Sequence, residues 1–531
     1  LDEHDGEIDF ETYFHLKKTY LLLFIIIFAL FLRLYNISNF SLWTDEIGTC
    51  WIATAPTIVE TAQRAIQTQG QSPLYFILVK FVLIFLPVNE FNIRLPSVLA
   101  SVISIFLIFH LAMILFDDSL KALVASLIFS INSLMIFYAQ EARPYALGLM
   151  FVLLSQLYFH KYLIRRKLWD LPLNTLFTIL AIYSHYVFIG IIIVQFFYLV
   201  FRFIRKQKCD RLKLTYWIIA QLVVALSVGT LATQINSMLQ NRQNWNWLSI
   251  LSFWNFVINF LMMFNPFILG FVFVCFLIFL SCTSTNDVRE YFKREEFAGN
   301  IYLLSIWILV PFFLVCGISY GLGVSLFDWR YLVMSIIPFC LLLSDFLCVF
   351  SSTVFRIAFP STYFLIYLGL VTFPDCAKTG SFCRRIPHDW RNAIKQINDN
   401  FEDGDAILLR FGEVRENWIP GIENQIINEY VSSPFRIFYW KKDKVPPVYN
   451  LTYTWEKDFE PYYDQLFREL QNYKHVWLIG VDTPNTNYPL SNISTLMVRE
   501  FYWTRLAYGN YSGVQLWLLD STYIPNSKKK N

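Results

Sequence analysis

The sequence predicts a mainly α fold, a polytopic bundle of transmembrane helices carrying a small outer α/β domain at its C-terminal end, and three observations predict it. Of 531 residues 56% are hydrophobic and 16% charged, and the mean hydropathy is +0.44, too apolar a balance for a globule surrounded only by water. The apolar residues are gathered into blocks of about 17 to 23, the length a helix needs to cross roughly 30 Å of hydrocarbon. After residue 373 the blocks stop, and a polar, aromatic-rich tail of roughly 155 residues follows, long enough for a domain of its own.

Lipid offers the backbone no hydrogen bonds, so each block is expected as a helix. About eleven candidate spans result, at 20–36, 94–116, 119–138, 146–164, 171–187, 188–204, 214–232, 265–282, 301–319, 330–348 and 356–373. Residues 1–19 form a tail that carries Asp2, Glu3, Asp5, Glu7, Asp9 and Glu11 before Lys17-Lys18, which is not the pattern of a cleavable signal peptide, so the first helix is expected to stay as an anchor. Two basic clusters, Lys161, Arg165, Arg166 and Lys167 and then Arg202, Arg205, Lys206, Lys208, Arg211 and Lys213, mark cytoplasmic loops. The mixed charges of the 283–300 loop fall on the same side.

Parity turns on Pro73 to Leu86. Its apolar stretch of about 13 residues is shorter than a span and contains Lys80, the pattern of a re-entrant or interfacial helix. With that helix not crossing, the N-terminus is cytoplasmic, residues 37–93 form one long outer loop of a transmembrane domain 20–373, and Gln140 to Tyr145 and the tail 374–531 lie outside. In the tail, His388 to Asn400 reads as an amphipathic helix, and Ala406 to Arg410, Val476 to Val481 and Val514 to Leu519 read as buried strands. No catalytic motif stands out there, and Lys528-Lys529-Lys530 reads as a solvated end.

The net charge of +3 is nearly balanced and its basic residues form no continuous face, which gives nucleic-acid binding no support. The nine cysteines show no paired metal-ligand spacing. Cys376 and Cys383 flank a short loop after the last block, where a disulfide fits if that loop lies outside the cytosol.

Chemistry is concentrated in three segments on the expected outer side. Trp43-Thr44-Asp45-Glu46-Ile47-Gly48-Thr49 follows the first helix and sets two adjacent carboxylates at the membrane interface. Adjacent like charges raise one another's proton affinity, which suits a base working near neutral pH; the plainer account is a helix start, with Thr44 or Asp45 as cap. Tyr138-Ala139-Gln140-Glu141-Ala142-Arg143-Pro144-Tyr145-Ala146-Leu147 joins two spans and brings a carboxylate and a guanidinium to the same surface. Charges so near hydrocarbon are costly unless paired or facing a wet cavity; Glu141 and Arg143 either neutralise each other or leave Arg143 to hold a phosphate through its two-pronged guanidinium. Phe327-Asp328-Trp329-Arg330-Tyr331-Leu332 repeats the theme, with an interfacial anchor as the alternative for Arg330. His185, in Tyr183-Ser184-His185-Tyr186, stands at an outer helix end, and Lys80 and Arg94 are open either to lipid phosphate or to the membrane surface.

Taken in order, the acidic pair, Gln71-Ser72-Pro73-Leu74-Tyr75, Asn92-Ile93-Arg94-Leu95-Pro96-Ser97, the Tyr138 to Leu147 segment, Ser184-His185-Tyr186 and Asp328-Trp329-Arg330-Tyr331-Leu332 resemble the GT-C class of polytopic glycosyltransferases. The likeness is to its bacterial branch related to protein O-mannosyltransferases and lipid A aminoarabinose transferases, and covers about residues 20 to 350. Gln71-Ser72 departs from the basic or histidine residue and proline often found before Pro73-Leu74-Tyr75, which bears on donor or acceptor identity.

The resemblance implies a GT-C-like bundle that uses a polyprenyl-phosphate-linked sugar as donor, with a carboxylate of the first outer loop at the acceptor. That carboxylate is Asp45, with Glu46 in support. Lys80, Arg94, Gln140, Glu141, Arg143, Tyr145, His185, Arg330 and Tyr331 become the expected donor-phosphate and substrate residues. No cofactor is required, and a divalent metal, if one binds, would sit at Asp45 and Glu46. The acceptor is a lipid, glycan or protein hydroxyl, the remaining partners are membrane lipids, and the expected location is the bacterial inner membrane. A transporter or flippase of a lipid-linked saccharide is the rival; its usual internal symmetry and paired broken helices are not seen in the sequence.

Overall fold

A computed structural model describes residues 10–520 apart from 70, 166, 168, 206–210, 233–249, 283–294, 324, 350–351, 380–381, 383–387, 412–428, 431, 436–438, 443–445, 452–459, 483–488 and 501–502. Cys383, most of the 283–300 loop and Lys528 to Lys530 therefore lie outside the described residues. In chain order the helices are α1 (Phe10–Leu34), α2 (Thr44–Ala53), α3 (Ile58–Gln69), α4 (Leu74–Phe85), α5 (Glu90–Phe116), α6 (Ser119–Ile131), α7 (Ser133–Ala139), α8 (Tyr145–Arg165), α9 (Asp170–Ser184), α10 (Gly190–Ile204), α11 (Arg211–Gly229), α12 (Phe253–Met262), α13 (Pro266–Cys282), α14 (Glu295–Leu322), α15 (Trp329–Leu332), α16 (Ile336–Leu347), α17 (Thr353–Tyr367) and α18 (Phe373–Thr379). There follow α19 (Trp390–Asn400), β1 (Ala406–Arg410), β2 (Val448–Asn450), α20 (Glu460–Leu470), β3 (His475–Val481), α21 (Leu490–Glu500), β4 (Thr504–Tyr511) and β5 (Val514–Asp520).

The chain divides into two compact units, Leu1–Asn36 with Gln69–Tyr75 and Arg94–Arg385, and Ile37–Thr68 with Phe76–Ile93 and Ile386–Asn531. The first is helical. Every segment expected to span lies on a helix or on helices run together, but among the described residues six pass by length and apolarity, or up to eight if each bent pair is one span. That is fewer than the about eleven expected, and α9, with 15 residues, is short of a full span. The bent pairs are α6 with α7, at 62°, and α12 with Pro266–Ile278, at 78°. An asparagine makes each bend: the Asn132 side chain accepts from the backbone of Leu134 and Met135, and Asn265, at φ 64°, accepts from Phe267. A side-chain cap restarts the helix in a new direction at the point where the backbone leaves its ladder. At ten residues, α12 is too short to appear as a block in the sequence.

Phe24, Leu226 and Phe273 are 65%, 77% and 60% exposed. An apolar outward face beside a buried apolar interior is what lipid permits and water does not, and the chain is an integral membrane protein. Polar side chains join the helices inside. Ser155 of α8 meets Thr178 of α9 at 2.8 Å, Gln195 of α10 donates to the Ser155 hydroxyl at 3.0 Å, and Trp217 of α11 donates to Gln195 at 3.3 Å; such bonds associate helices where hydrophobicity cannot. Elsewhere Lys121 of α6 pairs with Asp345 of α16 at 2.5 Å, beside the ion pair of Asp118 and Arg356. Asp345→Asn leaves the poorly exposed Lys121 ammonium without its counter-charge, and a loss of about 3–5 kcal/mol is expected in denaturant unfolding of the purified full-length protein.

The second unit is α/β. Its sheet has the order β2-β1-β3-β5-β4, with β1 parallel to β2 and β3 and β5 antiparallel to β3 and β4. All five residues of β1 are buried, the pattern of a strand covered on both faces. The expected strands correspond to β1, β3 and β5. Three-residue β2 and β4, exposed along most of its length, give no such apolar run. Ser512 and Gly513, both at positive φ, form the two-residue turn that joins β4 to β5. The expected amphipathic helix is α19, which buries Trp390, Ala393, Ile394 and Ile397, one face at helical spacing.

Residues 37–68, from the loop expected to be outer, pack with this tail. Arg391 of α19 donates through its backbone to Ser41 Oγ at 3.2 Å and through its guanidinium to the Ser38 carbonyl at 3.0 Å and to Glu90 at 2.5 Å. The Tyr439 hydroxyl accepts from the Leu42 backbone at 2.9 Å. Leu42 is fully buried, so Tyr439→Phe strands its N–H; the expected cost is about 1–3 kcal/mol, read by denaturation of the full chain in detergent.

Candidate active site

Trp43, at φ −88° and ψ 172°, is the cap residue of α2 and makes no side-chain capping bond, so Asp45 and Glu46 stand in the first turn. The cap role weighed for Thr44 or Asp45 is not what the backbone shows. Both carboxylates instead lie where the helix dipole is positive. Glu46 is 1% exposed and Asp45 half-buried. A base must reach its substrate's proton, and of the two Asp45 has the access. Lys80, on α4, is half-buried and donates to the Ala55 carbonyl.

His388, just before α19, is the residue of this unit that the sequence did not single out. Burial pushes its imidazole below the ordinary histidine range, and the Asp45 carboxylate opposes that shift. Its Nδ1 is buried and has no hydrogen-bond partner among the described residues. Only folding brings the start of α19 to α2, and no spacing in the sequence announces it.

The helical unit gathers the other site residues at one end of its bundle. Between α7 and α8 the chain turns at 140–144, and the Gln140 amide is committed to that turn: it donates to the Arg33 and Tyr35 carbonyls at 3.0 Å, tying the turn to the end of α1. Glu141 and Arg143 are 4% and 2% exposed. The Arg143 backbone is held on both sides, its N–H donating to the Glu141 carbonyl at 2.8 Å and its carbonyl accepting from Ser97 Oγ at 3.2 Å. Ser97 meets the Tyr75 hydroxyl at 2.8 Å, so the QSPLY and NIRLPS motifs support this turn. Arg94, in the same motif, is fully buried.

His185 ends α9 and caps the short 3-10 turn that follows, its Nδ1 accepting from the Val187 backbone at 3.3 Å. A neutral ring so engaged carries its proton on Nε2. A Cβ at Gly148 of α8 would lie 1.9 Å from the Phe188 ring, so glycine there lets this turn pack down on α8. Tyr145 is 5.2 Å from His185 and 5.0 Å from Tyr138, ring to ring, and Tyr331 is 6.0 Å from His185. Arg330 pairs with Asp328 at 3.2 Å, and Asp328 also caps α15. His185 lies in the fields of Arg143 and Arg330, and Tyr138 in those of Asp328, Glu141 and Arg330. Residues from three distant stretches therefore form one cluster of charge and phenol. Tyr138 and Asp328 stand in the same sequence motifs as Glu141 and Arg330, and only folding places them in the cluster. Such a set can hold an oxyanion between guanidinium groups and hydroxyl donors. Among the described residues no three His, Cys, Asp or Glu side chains converge to hold a metal.

Residues 70–231 match the model of a family described as dolichyl-phosphate-mannose-protein mannosyltransferase. Among solved structures, the chain is similar to ArnT from Cupriavidus metallidurans in the apo state, with a TM-score of 0.55, 10% identity and 96% of this chain and 98% of that one covered. The same protein bound to undecaprenyl phosphate gives 0.52 at 10% identity and the same coverage. The archaeal oligosaccharyltransferase AglB from Archaeoglobus fulgidus, in complex with an inhibitory peptide and a dolichol-phosphate, gives 0.53 at 13% identity, covering 98% of this chain and 76% of that one. No curated protein sequence matches the chain. At these identities the likeness is one of fold.

Proposed function

From the fold of the GT-C class of membrane glycosyltransferases, which this chain has, we propose that it moves a sugar from a polyprenyl-phosphate donor to an acceptor hydroxyl on the extracytoplasmic side of the membrane. The observation that carries the reading is the cluster of Arg143, Tyr145, His185, Arg330 and Tyr331 in the helical unit. Buried ionisable groups in a membrane protein are expensive and serve a substrate far more often than the fold. The undecaprenyl phosphate of ArnT and the dolichol-phosphate of AglB favour a lipid monophosphate as that substrate.

The reaction proceeds with inversion. Asp45 takes the proton of the acceptor hydroxyl as its oxygen bonds to the anomeric carbon, and the bond from that carbon to the phosphate oxygen breaks on the opposite face. The phosphate keeps the electron pair and leaves as a stable anion, so no general acid is needed. Arg143, Arg330 or Lys80 is assigned to the charge that develops there, Arg94, Glu141, Tyr145, His185 and Tyr331 are assigned to the donor, Gln140 holds the turn, and Glu46 supports Asp45. No cofactor is required, and a divalent metal, if one binds, would sit at Asp45 and Glu46.

The test is turnover by the purified full-length protein in liposomes. It is offered a panel of synthetic short-chain polyprenyl phosphates carrying a hexose or a pentose, with membranes from a host lacking the gene as acceptor. Release of free polyprenyl phosphate with label passing to the membranes is expected from at least one donor. Movement of an intact lipid-linked sugar across the bilayer without release would replace this reading with that of a flippase.

A further inference from the structure

The α/β unit holds a buried ring nitrogen that the proposed reaction does not use. His388 sits on a segment fixed from two directions. Arg391, three residues on, binds Ser38, Ser41 and Glu90, the chain leading into α2 and the start of α5. Trp390, fully buried, packs edge-on against Phe411 at 5.4 Å, Phe411 against Tyr430 at 5.9 Å, and Tyr430 against Trp51 of α2 at 5.2 Å. A chain of rings thus runs from Trp390, two residues after His388, to α2, whose first turn holds Asp45. Rings so packed leave little freedom, and the start of α19 is held in a set place relative to α2.

Within that frame the His388 Nδ1 is buried and makes no hydrogen bond among the described residues, although Asp45 acts on it electrostatically. A buried nitrogen left without a partner is costly, and a polar group of a bound ligand would supply that partner.

We infer that His388 is an acceptor-binding residue, and that a hydroxyl of the acceptor bridges its Nδ1 and the Asp45 carboxylate. This rests on the assignment of Asp45 as base. The imidazole N–H donates to the hydroxyl oxygen while the hydroxyl proton points to Asp45. In the transfer that proton passes to Asp45, the oxygen bonds to the anomeric carbon, and the His388 proton stays where it is. The C-terminal tail then supplies part of the acceptor site, and the ligand class is a polyhydroxylated or hydroxyl-bearing acceptor.

With the donor that turns over in the liposome assay held saturating, host membranes lacking the protein are titrated as acceptor. His388→Ala is expected to raise the half-saturating amount of membrane about tenfold, one hydrogen bond's worth, with the half-saturating donor concentration and the thermal midpoint unchanged. His388→Asn, whose amide N–H reaches the place of Nδ1, restores most of the loss. Unchanged acceptor saturation in a folded His388→Ala protein, an equal shift for donor and acceptor, or no rescue by folded His388→Asn overturns the assignment. Asp45→Asn is run beside them. Turnover retained there removes the base and this proposal together, whereas turnover lost there with no acceptor shift in His388→Ala removes only the role of His388.

Discussion

Asp45→Asn is expected to lower turnover of a polyprenyl-phosphate sugar by at least about 10²-fold, the contribution a positioned base makes, while the protein stays folded and in the membrane. The side chains are nearly the same shape, so packing at the start of α2 is kept. What is lost is the negative charge that takes the proton. The bond that Thr49 makes to residue 45 goes to its backbone carbonyl and survives the change. Glu46→Gln is the control: that side chain is 1% exposed, and its replacement is expected to lower stability more than turnover. Donor release measured at saturating donor, with a thermal midpoint for each variant, separates the two effects. An Asp45→Asn enzyme as fast as the parent would end the assignment.

Arg143→Ala is expected to cost about 10²- to 10³-fold in turnover, the usual loss when a preorganised donor to a developing oxyanion is removed. Arg143→Lys recovers only part of it, because an ammonium keeps the charge but not the planar fork that meets two phosphate oxygens at once. Its backbone bonds to Glu141 and from Ser97 are untouched by either change, so the turn keeps its form and the loss reports the guanidinium. If the role is to neutralise Glu141 instead, Arg143→Ala lowers the thermal midpoint and the double change with Glu141→Gln restores turnover.

Much of the helical unit was legible because hydrocarbon imposes so strict a rule on the backbone. Blocks of apolar residues long enough to cross must be helical, and each expected segment is helical. Their course was less legible, since Asn132 and Asn265 bend helices by capping them, which hydropathy does not register. Short α4 was legible by the same rule run backwards, as an apolar helix too short to cross. In the tail β1, β3 and β5 showed as buried runs, whereas the exposed edge β4 had no such run to show.

By itself the sequence determined which residues carry charge beside hydrocarbon: Asp45, Glu141, Arg143 and Arg330 stand out because lipid tolerates so few. The same composition determined a helical membrane protein with a polar tail. Tertiary structure decided what those residues meet. Tyr145, His185 and Tyr331 come together because helices bring their ends to one level however far apart they lie in the chain, and the acidic pair was found in the first turn of α2, with Asp45 the more accessible. His388 was decided by folding alone. A histidine before an amphipathic helix is ordinary in a sequence, and it acquires chemistry only where Arg391 and a chain of packed rings fix its segment against the helix whose first turn holds Asp45.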